Sequence, residues 1–215
     1  MWTVCPRGDL ADRNLAGADL RNADLAGADL TGATLTGASL ATASLTRAKL
    51  ARAHLDGATL SFANLSGATL TAASLSGATL IGANFAGADL SRADLTGVNL
   101  AGASLIGANL TRANLTHANL AGANLAGAQL LRANLDGANL IGANLTRANL
   151  TGAMMARTTL SGAYLLGTNL SGANLDNAVL LGADLSRANL AGAQLGTVSW
   201  SDTTCPSGRK TNSGC

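Results

Sequence analysis

One apolar residue recurs at every fifth position of this 215-residue chain, from Leu10 to Leu195, and the residues between keep the same beat. These 38 positions are Leu throughout except Phe85 and Met155. Two residues before each stands Ala in 33 of the 38, the departures being Gly8, Arg13, Val98, Thr158 and Thr168. Two residues after it stands Gly in 22. The residue directly before it is mostly Asn, Asp, Ser or Thr. The unit therefore reads Ala-(Asn/Asp/Ser/Thr)-Leu-x-Gly, with no insertion or deletion along the run.

A period of five suits neither an amphipathic helix nor a flat strand. In a helix, successive Leu would step round the axis by about 140° and leave no continuous stripe. A backbone that turns a corner every five residues accommodates the pattern. Gly supplies the left-handed conformations such corners need, and Asn, Asp, Ser and Thr brace or tolerate them. Four such sides close a square coil, with Leu and Ala pointing inward and the other three positions outward.

Stretches such as Ala108-Asn109-Leu110-Thr111-Arg112 and Ala123-Asn124-Leu125-Ala126-Gly127 resemble the pentapeptide-repeat family, and the likeness runs from Gly8 to about Trp200. The resemblance implies an all-β fold, a single right-handed quadrilateral parallel β-helix. Thirty-eight units at four per coil give about 9.5 coils, and stacking at about 4.8 Å per coil gives a rod roughly 45 Å long. Residues 10–200 are expected to form the β-helix, with residues 1–9 as an N-terminal cap and 201–215 as a polar C-terminal tail or cap. A solenoid presents unpaired strand edges at both ends. Trp2 and Trp200, each followed by a Cys-Pro-x-Gly run, are expected to cap them.

Composition adds that the core is aliphatic. Hydrophobic residues make up 47% of the chain but aromatics only 2%, and all twelve acids are Asp. A net charge of +2 is too small to draw nucleic acid or membrane by long-range attraction, so neither is expected as a partner. The chain has no run of 18 apolar residues that could cross a membrane as a helix. Its first residues lack the basic and apolar regions of a signal peptide, which points to the cytoplasm. The same residues would follow a leader that had been removed.

No catalytic chemistry stands out. His54 and His117 fall on one face but three coils apart, roughly 14 Å, too far for a shared metal or a dyad. The chain has neither a G-x-S-x-G run nor a phosphate-binding glycine motif, and its glycines recur at five because the turns do. The expectation is a non-enzyme without cofactor or metal. Among the three cysteines, Cys5 and Cys205 belong to opposite ends of the rod. Cys205 and Cys215 can close a loop in the tail, a disulfide that would suit an oxidising compartment and secretion. Three free thiols in the cytoplasm are the alternative.

Residues twenty apart stack, so columns can be read directly. One runs Asp12, Gly32, Arg52, Ala72, Arg92, Arg112, Arg132, Gly152. Arg52 and the three consecutive arginines form a candidate interaction stripe for an anion or an acidic partner, partly neutralised by Asp89, Asp94 and Asp136. Columns of Asn, among them Asn99-Asn119-Asn139 and Asn124-Asn144, are expected to bond along the stack.

Two functions fit. One is a rigid scaffold binding a protein partner, in which an end-to-end dimer is one possible assembly. The other follows from the resemblance: some family members protect DNA gyrase or topoisomerase from quinolones and other inhibitors by imitating duplex DNA. A 45 Å stretch of duplex carries roughly 26 negative charges, whereas this chain has twelve acids against fourteen bases. Asp9, Asp19, Asp24 and Asp29 form the one candidate acidic patch for such mimicry, with Arg7, Arg13 and Arg21 among them. The scaffold is the preferred expectation.

Overall fold

A computed structural model describes residues 6–215. Trp2, one of the two expected caps, and Cys5 lie outside the described residues. The backbone rises one coil every twenty residues. Parallel bridges join each residue before Leu to its equivalent one coil on, from Asp9↔Asp29 to Asp184↔Thr204. Four such columns run the length of the rod, and we number the walls by their first central residues: the first wall through Leu10, the second through Leu15, the third through Leu20 and the fourth through Leu25.

The repeat Asn109–Ala113 explains why the residue types sit where they do, because each of its five amides finds a partner. Asn109 N–H donates to the Ala88 carbonyl at 2.9 Å, Leu110 N–H to Gln129 at 2.7 Å and Arg112 N–H to Leu131 at 2.9 Å, all between coils. Ala113 N–H closes the corner on the Leu110 carbonyl at 3.0 Å. The fifth, Thr111 N–H, has no backbone carbonyl and donates to Asn109 Oδ1 at 3.1 Å. Leaving a backbone donor unpaired is costly, and an Asn or Asp before Leu supplies the missing acceptor. Every Asn and Asp at that position among the described residues does so, from Asp9 to Asn189.

Each corner is a type II turn. It carries a positive φ only at its third residue, where Gly costs least. That residue has φ of 54–68° at every corner from Arg7 to Gly192. The interior is a dense column of Leu and Ala, almost all at 0–1% exposure from Ala23 to Leu185. The departures from Ala are accommodated. Thr158 and Thr168 are fully buried, and their hydroxyls donate to the carbonyls of Met155 and Leu145, both at 2.7 Å. The corner bonds of Val98 and Thr158 are 3.3 Å, against 3.0 Å at Ala113 and at Thr168.

The coil hydrogen bonding runs past the expected 10–200 limits at both ends. Arg7 N–H already donates to the Ala26 carbonyl, and Arg187 N–H donates to the Pro206 carbonyl at 3.0 Å. The unit Thr203-Thr204-Cys205 stays in frame, with Thr203 inward and Cys205 in the Leu position at 7% exposure. The Thr203 hydroxyl donates to the Leu180 carbonyl at 2.6 Å. Beyond it the chain doubles back. Strand β1 (Thr203–Thr204) pairs antiparallel with β2 (Lys210–Thr211), which covers the open ladder edge of the fourth wall. Cys205 and Cys215 are joined by a disulfide with their Cα atoms 5.4 Å apart. Trp200, in the Leu position of the third wall, packs half-buried against the last core residues.

Candidate interaction surfaces

The outward side chains sort onto opposite walls. Flanking the second wall, one corner carries Arg52, Arg92, Arg112 and Arg132, all exposed. Their backbones hold φ of 54–59°. A long side chain in the left-handed region costs roughly 1–2 kcal/mol. Arg nevertheless fills nine of the 17 non-glycine positions of positive φ, taking nine of the chain's twelve arginines. Nine corners of the rod are thus occupied by cations at the expense of backbone ease, the kind of local strain that gathers at functional positions.

None of these four arginines is ion-paired among the described residues, where the only pairs are Arg21–Asp19, Lys49–Asp29, Arg157–Asp136 and Lys210–Asp202. Of the three acids expected to neutralise part of the stripe, one is ion-paired with another arginine and two accept hydrogen bonds from neutral groups only. Asp136 pairs with Arg157 across the other corner. Asp94 accepts from the Thr96 amide and hydroxyl and from Asn114 Nδ2. Asp89 accepts from Ser91 N–H at 3.0 Å, Thr71 Oγ1 at 2.9 Å and Asn109 Nδ2 at 3.0 Å. Burial alone would push the Asp89 carboxyl up. The bonds from Ser91, Thr71 and Asn109 outweigh it and hold the group below the ordinary carboxylate value. Beside Arg92 and Arg112 runs a shallow groove lined by Thr71, Ser91, Thr111 and Leu131.

The acidic patch is dispersed. Asp19, Asp24 and Asp29 occupy three different walls of the first coils, and Asp9 stacks under Asp29. Asp19 is held by Arg21, through Nε at 2.8 Å and Nη2 at 2.7 Å. Asp29 bonds Lys49 Nζ at 3.1 Å. Each of the four also spends Oδ1 on its own turn.

The fourth wall is different. Of the large apolar side chains left exposed, Phe62, Ile81, Ile141 and Leu181 lie on its corner with the third wall. Ile106 and Leu166 lie on its corner with the first, and Tyr164 stands mid-wall, 58% exposed. Only Met154 belongs elsewhere. From Ser61 to Thr146 this wall and both its corners contain no charged residue. The Asn columns also differ. On the third wall Asn119 Nδ2 donates to Asn99 and Asn139 Nδ2 to Asn119, each at 3.2 Å. Asn124 and Asn144 on the fourth wall make no such bond to each other, and their Nδ2 donors have no partner among the described residues.

A long parallel coil with flat walls and no elaborated loop among the described residues defines a repeat-solenoid protein. The chain matches the model of the pentapeptide repeats over residues 9–198, in eight copies, and belongs to that family. Among solved structures it is similar to HetL, a pentapeptide repeat protein involved in heterocyst differentiation regulation from the cyanobacterium Nostoc sp. strain PCC 7120. That likeness has 35% identity over 96% of this chain and 94% of HetL, with a TM-score of 0.72. A trypsin-treated form of QnrB1, a plasmid-mediated fluoroquinolone resistance protein, shares the fold at 20% identity, over 90% of this chain and 91% of QnrB1, with a TM-score of 0.61. No curated protein sequence matches the chain.

Proposed function

We propose that the protein is a non-catalytic, right-handed rod of about 9.5 coils that binds an acidic protein segment along the corner carrying Arg52, Arg92, Arg112 and Arg132. The observation behind this is that these arginines are exposed, unpaired among the described residues and held at strained corners. Arg92, Arg112 and Arg132 repeat at the coil spacing of about 4.8 Å, somewhat longer than the roughly 3.3 Å rise of an extended strand. Alternate residues of an extended acidic peptide present carboxylates on one face at about 6.6 Å, a mismatch that the long, flexible arginine side chains can span. The planar guanidinium favours paired hydrogen bonds to carboxylates. The extensive likeness to HetL, involved in differentiation regulation, supports a regulatory rather than an enzymatic role.

The test uses a fluorescent oligo-aspartate peptide as probe. Wild-type protein should bind it, more weakly as salt rises. The triple change Arg92→Glu, Arg112→Glu and Arg132→Glu should weaken binding at least tenfold while the circular dichroism spectrum stays unchanged. Equal binding by both proteins would remove the proposal. Protection of DNA gyrase is the second reading, supported at the level of shared fold with QnrB1. The dispersed and partly neutralised acids weigh against it. Near-stoichiometric rescue of supercoiling from a quinolone, lost when Asp9, Asp19, Asp24 and Asp29 become Asn, would make it the better account.

A further inference from the structure

The exposed apolar residues of the fourth wall follow a rule that no single column displays. At each coil where one corner carries a large apolar side chain, the matching position of the opposite corner is Gly, Ala, Ser or Thr, with the exposed Arg147 and Arg187 beside it at two coils. Phe62 faces Ser66 and Gly67 across the wall, and Ile81 faces Ala86. Ile106 then switches sides, facing Ala101, while Ile141 faces Thr146. Leu166 faces Ser161 and Leu181 faces Ser186. Between them, at 121–127, both corners are Ala-Gly. The flanking glycines keep the relief low: the Phe62 ring leans so far over the next corner that a Cβ at Gly82 would come within 2.6 Å of it.

We infer that the fourth wall is the seat of a second copy of this chain, two rods lying side by side and parallel about a two-fold axis along the wall. That operation places one corner of the wall against the other corner of its partner at the same coil level. Every large apolar residue of the two corners then meets Gly, Ala, Ser or Thr of the second copy, with Arg147 and Arg187 beside Thr146 and Ser186, as an isologous interface allows. The mid-wall column meets itself, bringing Tyr164 against Tyr164 and giving the free amides of Asn124 and Asn144 acceptors across the axis. An antiparallel pair about the centre of the same seven coils would instead set Phe62 on Leu181.

Charge and area agree. Along its seven coils from Ser61 to Arg187 the wall and its corners hold three charges, Asp184 and the exposed corner arginines Arg147 and Arg187. A nearly neutral surface is therefore what it can cover while the arginines stay at the solvent-reached rim. The self-facing Asp184 pair is flanked at its own level by Arg187 of both copies. Seven coils at about 4.8 Å give a strip about 34 Å long. With a width of roughly 20 Å, each copy buries about 700 Å², close to the roughly 800 Å² per partner of specific complexes.

Sedimentation velocity over a concentration series tests this. The protein should be a reversible dimer, and Ile106→Glu with Ile141→Glu should raise its dissociation constant at least tenfold. Ala121→Arg, which removes no apolar side chain, should do the same, and Thr111→Glu on the opposite side should not. Circular dichroism of each variant establishes that it is folded. In a Cys5→Ser background, Tyr164→Cys should form an intermolecular disulfide within the dimer, because only the parallel arrangement brings position 164 to its own copy. A monomer at every concentration up to about 1 mM, a dimer indifferent to Ala121→Arg, or failure of Tyr164→Cys to crosslink would each overturn the inference.

Discussion

The second and fourth walls are built on one backbone and one core, yet they are chemically opposite. Each wall alternates the same inward Ala and Leu, and each outward Asn or Asp closes the same turn. They differ in the corner residues. The second wall's corner with the first takes arginine in the left-handed position at Arg52, Arg92, Arg112 and Arg132. Both corners of the fourth wall instead take glycine from Gly82 to Gly142, with a bulky apolar residue beside it at most coils. The fourth wall's left-handed arginines, Arg7, Arg47, Arg147 and Arg187, lie towards its ends. Because the coil-to-coil ladder is made by the backbone, and the turn by the residue before Leu, most corner side chains are free of structural duty apart from φ. A pentapeptide solenoid can therefore carry an electrostatic face and an apolar face on opposite sides without compromise in the core between them.

The strongest test of that separation is to disturb the shared core beneath each wall. Ala113 lies under the second wall and Ala103 under the fourth, both at no more than 1% exposure. Overpacking a dense core costs about 1–3 kcal/mol. Ala113→Leu and Ala103→Leu should lower the thermal midpoint by similar amounts, several degrees each. Thr111→Leu, facing outward, should stay within about 0.5 kcal/mol of wild type. A large difference between the two inward variants would mean that the walls do not share one core in the way described.

The next effect is smaller and of opposite sign. Arg112 holds φ of 59°. Exchanging it for Gly relieves roughly 1–2 kcal/mol of left-handed strain and adds about 0.5–1 kcal/mol of unfolded-state entropy. Arg112→Gly should therefore stabilise the rod slightly while weakening oligo-aspartate binding. Gly107→Arg, at a corner of the fourth wall, should do the reverse to stability. Denaturant midpoints at unchanged slope would read both.

Much of this was legible from residue spacing alone. The inward and outward positions, the Arg column and the in-frame ladder follow from counting in fives and twenties. What the columns could not reveal lies in relations across them. The destinations of Asp89, Asp94 and Asp136 depend on competition among neighbouring hydroxyls and amides, and Arg157 reaches Asp136 from a different coil. The tail was hidden because Thr203 and Cys205 keep the frame with unfamiliar residue types. The apolar character of the fourth wall went unread because its bulky residues alternate between two corners and mid-wall, and so never repeat within a column.

The ends of the two walls also differ. Strand β2 covers the ladder edge of the fourth wall only, pinned by Cys205–Cys215. In a solenoid such a change reaches little beyond the neighbouring coil. Reduction of the disulfide should speed amide exchange at Asp184 and Leu185, whose coil partners lie at Ala163 and Thr204, and leave Asn114 and Leu115 of the second wall unaltered. Uniform loss of protection along the rod would show that the tail governs global stability.

Acid gives the smallest effect, and it too should spare the fourth wall. Asp19 is lowered to about 2, first by the Arg21 guanidinium and then by the Arg21 amide. Asp29 is lowered to about 2 by the Thr31 hydroxyl and amide, with Lys49 adding to them. Both values lie below the ordinary carboxylate value of 3.8. A depressed folded-state pKa contributes stability that is fully present above the unfolded value and is lost as pH falls toward the folded one. The window is therefore about pH 4 down to 2. Both groups are exposed, so salt and solvent keep the contribution small. Amide exchange at Arg21 and Thr31 should quicken across that window, because their N–H groups donate to these carboxylates. Asp19→Asn and Asp29→Asn should flatten the dependence. Amides of the fourth wall between Ile81 and Asn144, a stretch whose outward residues include no carboxylate, should show no step between pH 4 and 2 beyond the intrinsic rate. A matching step there would mean that protonation loosens the whole rod and that the two walls are coupled through it.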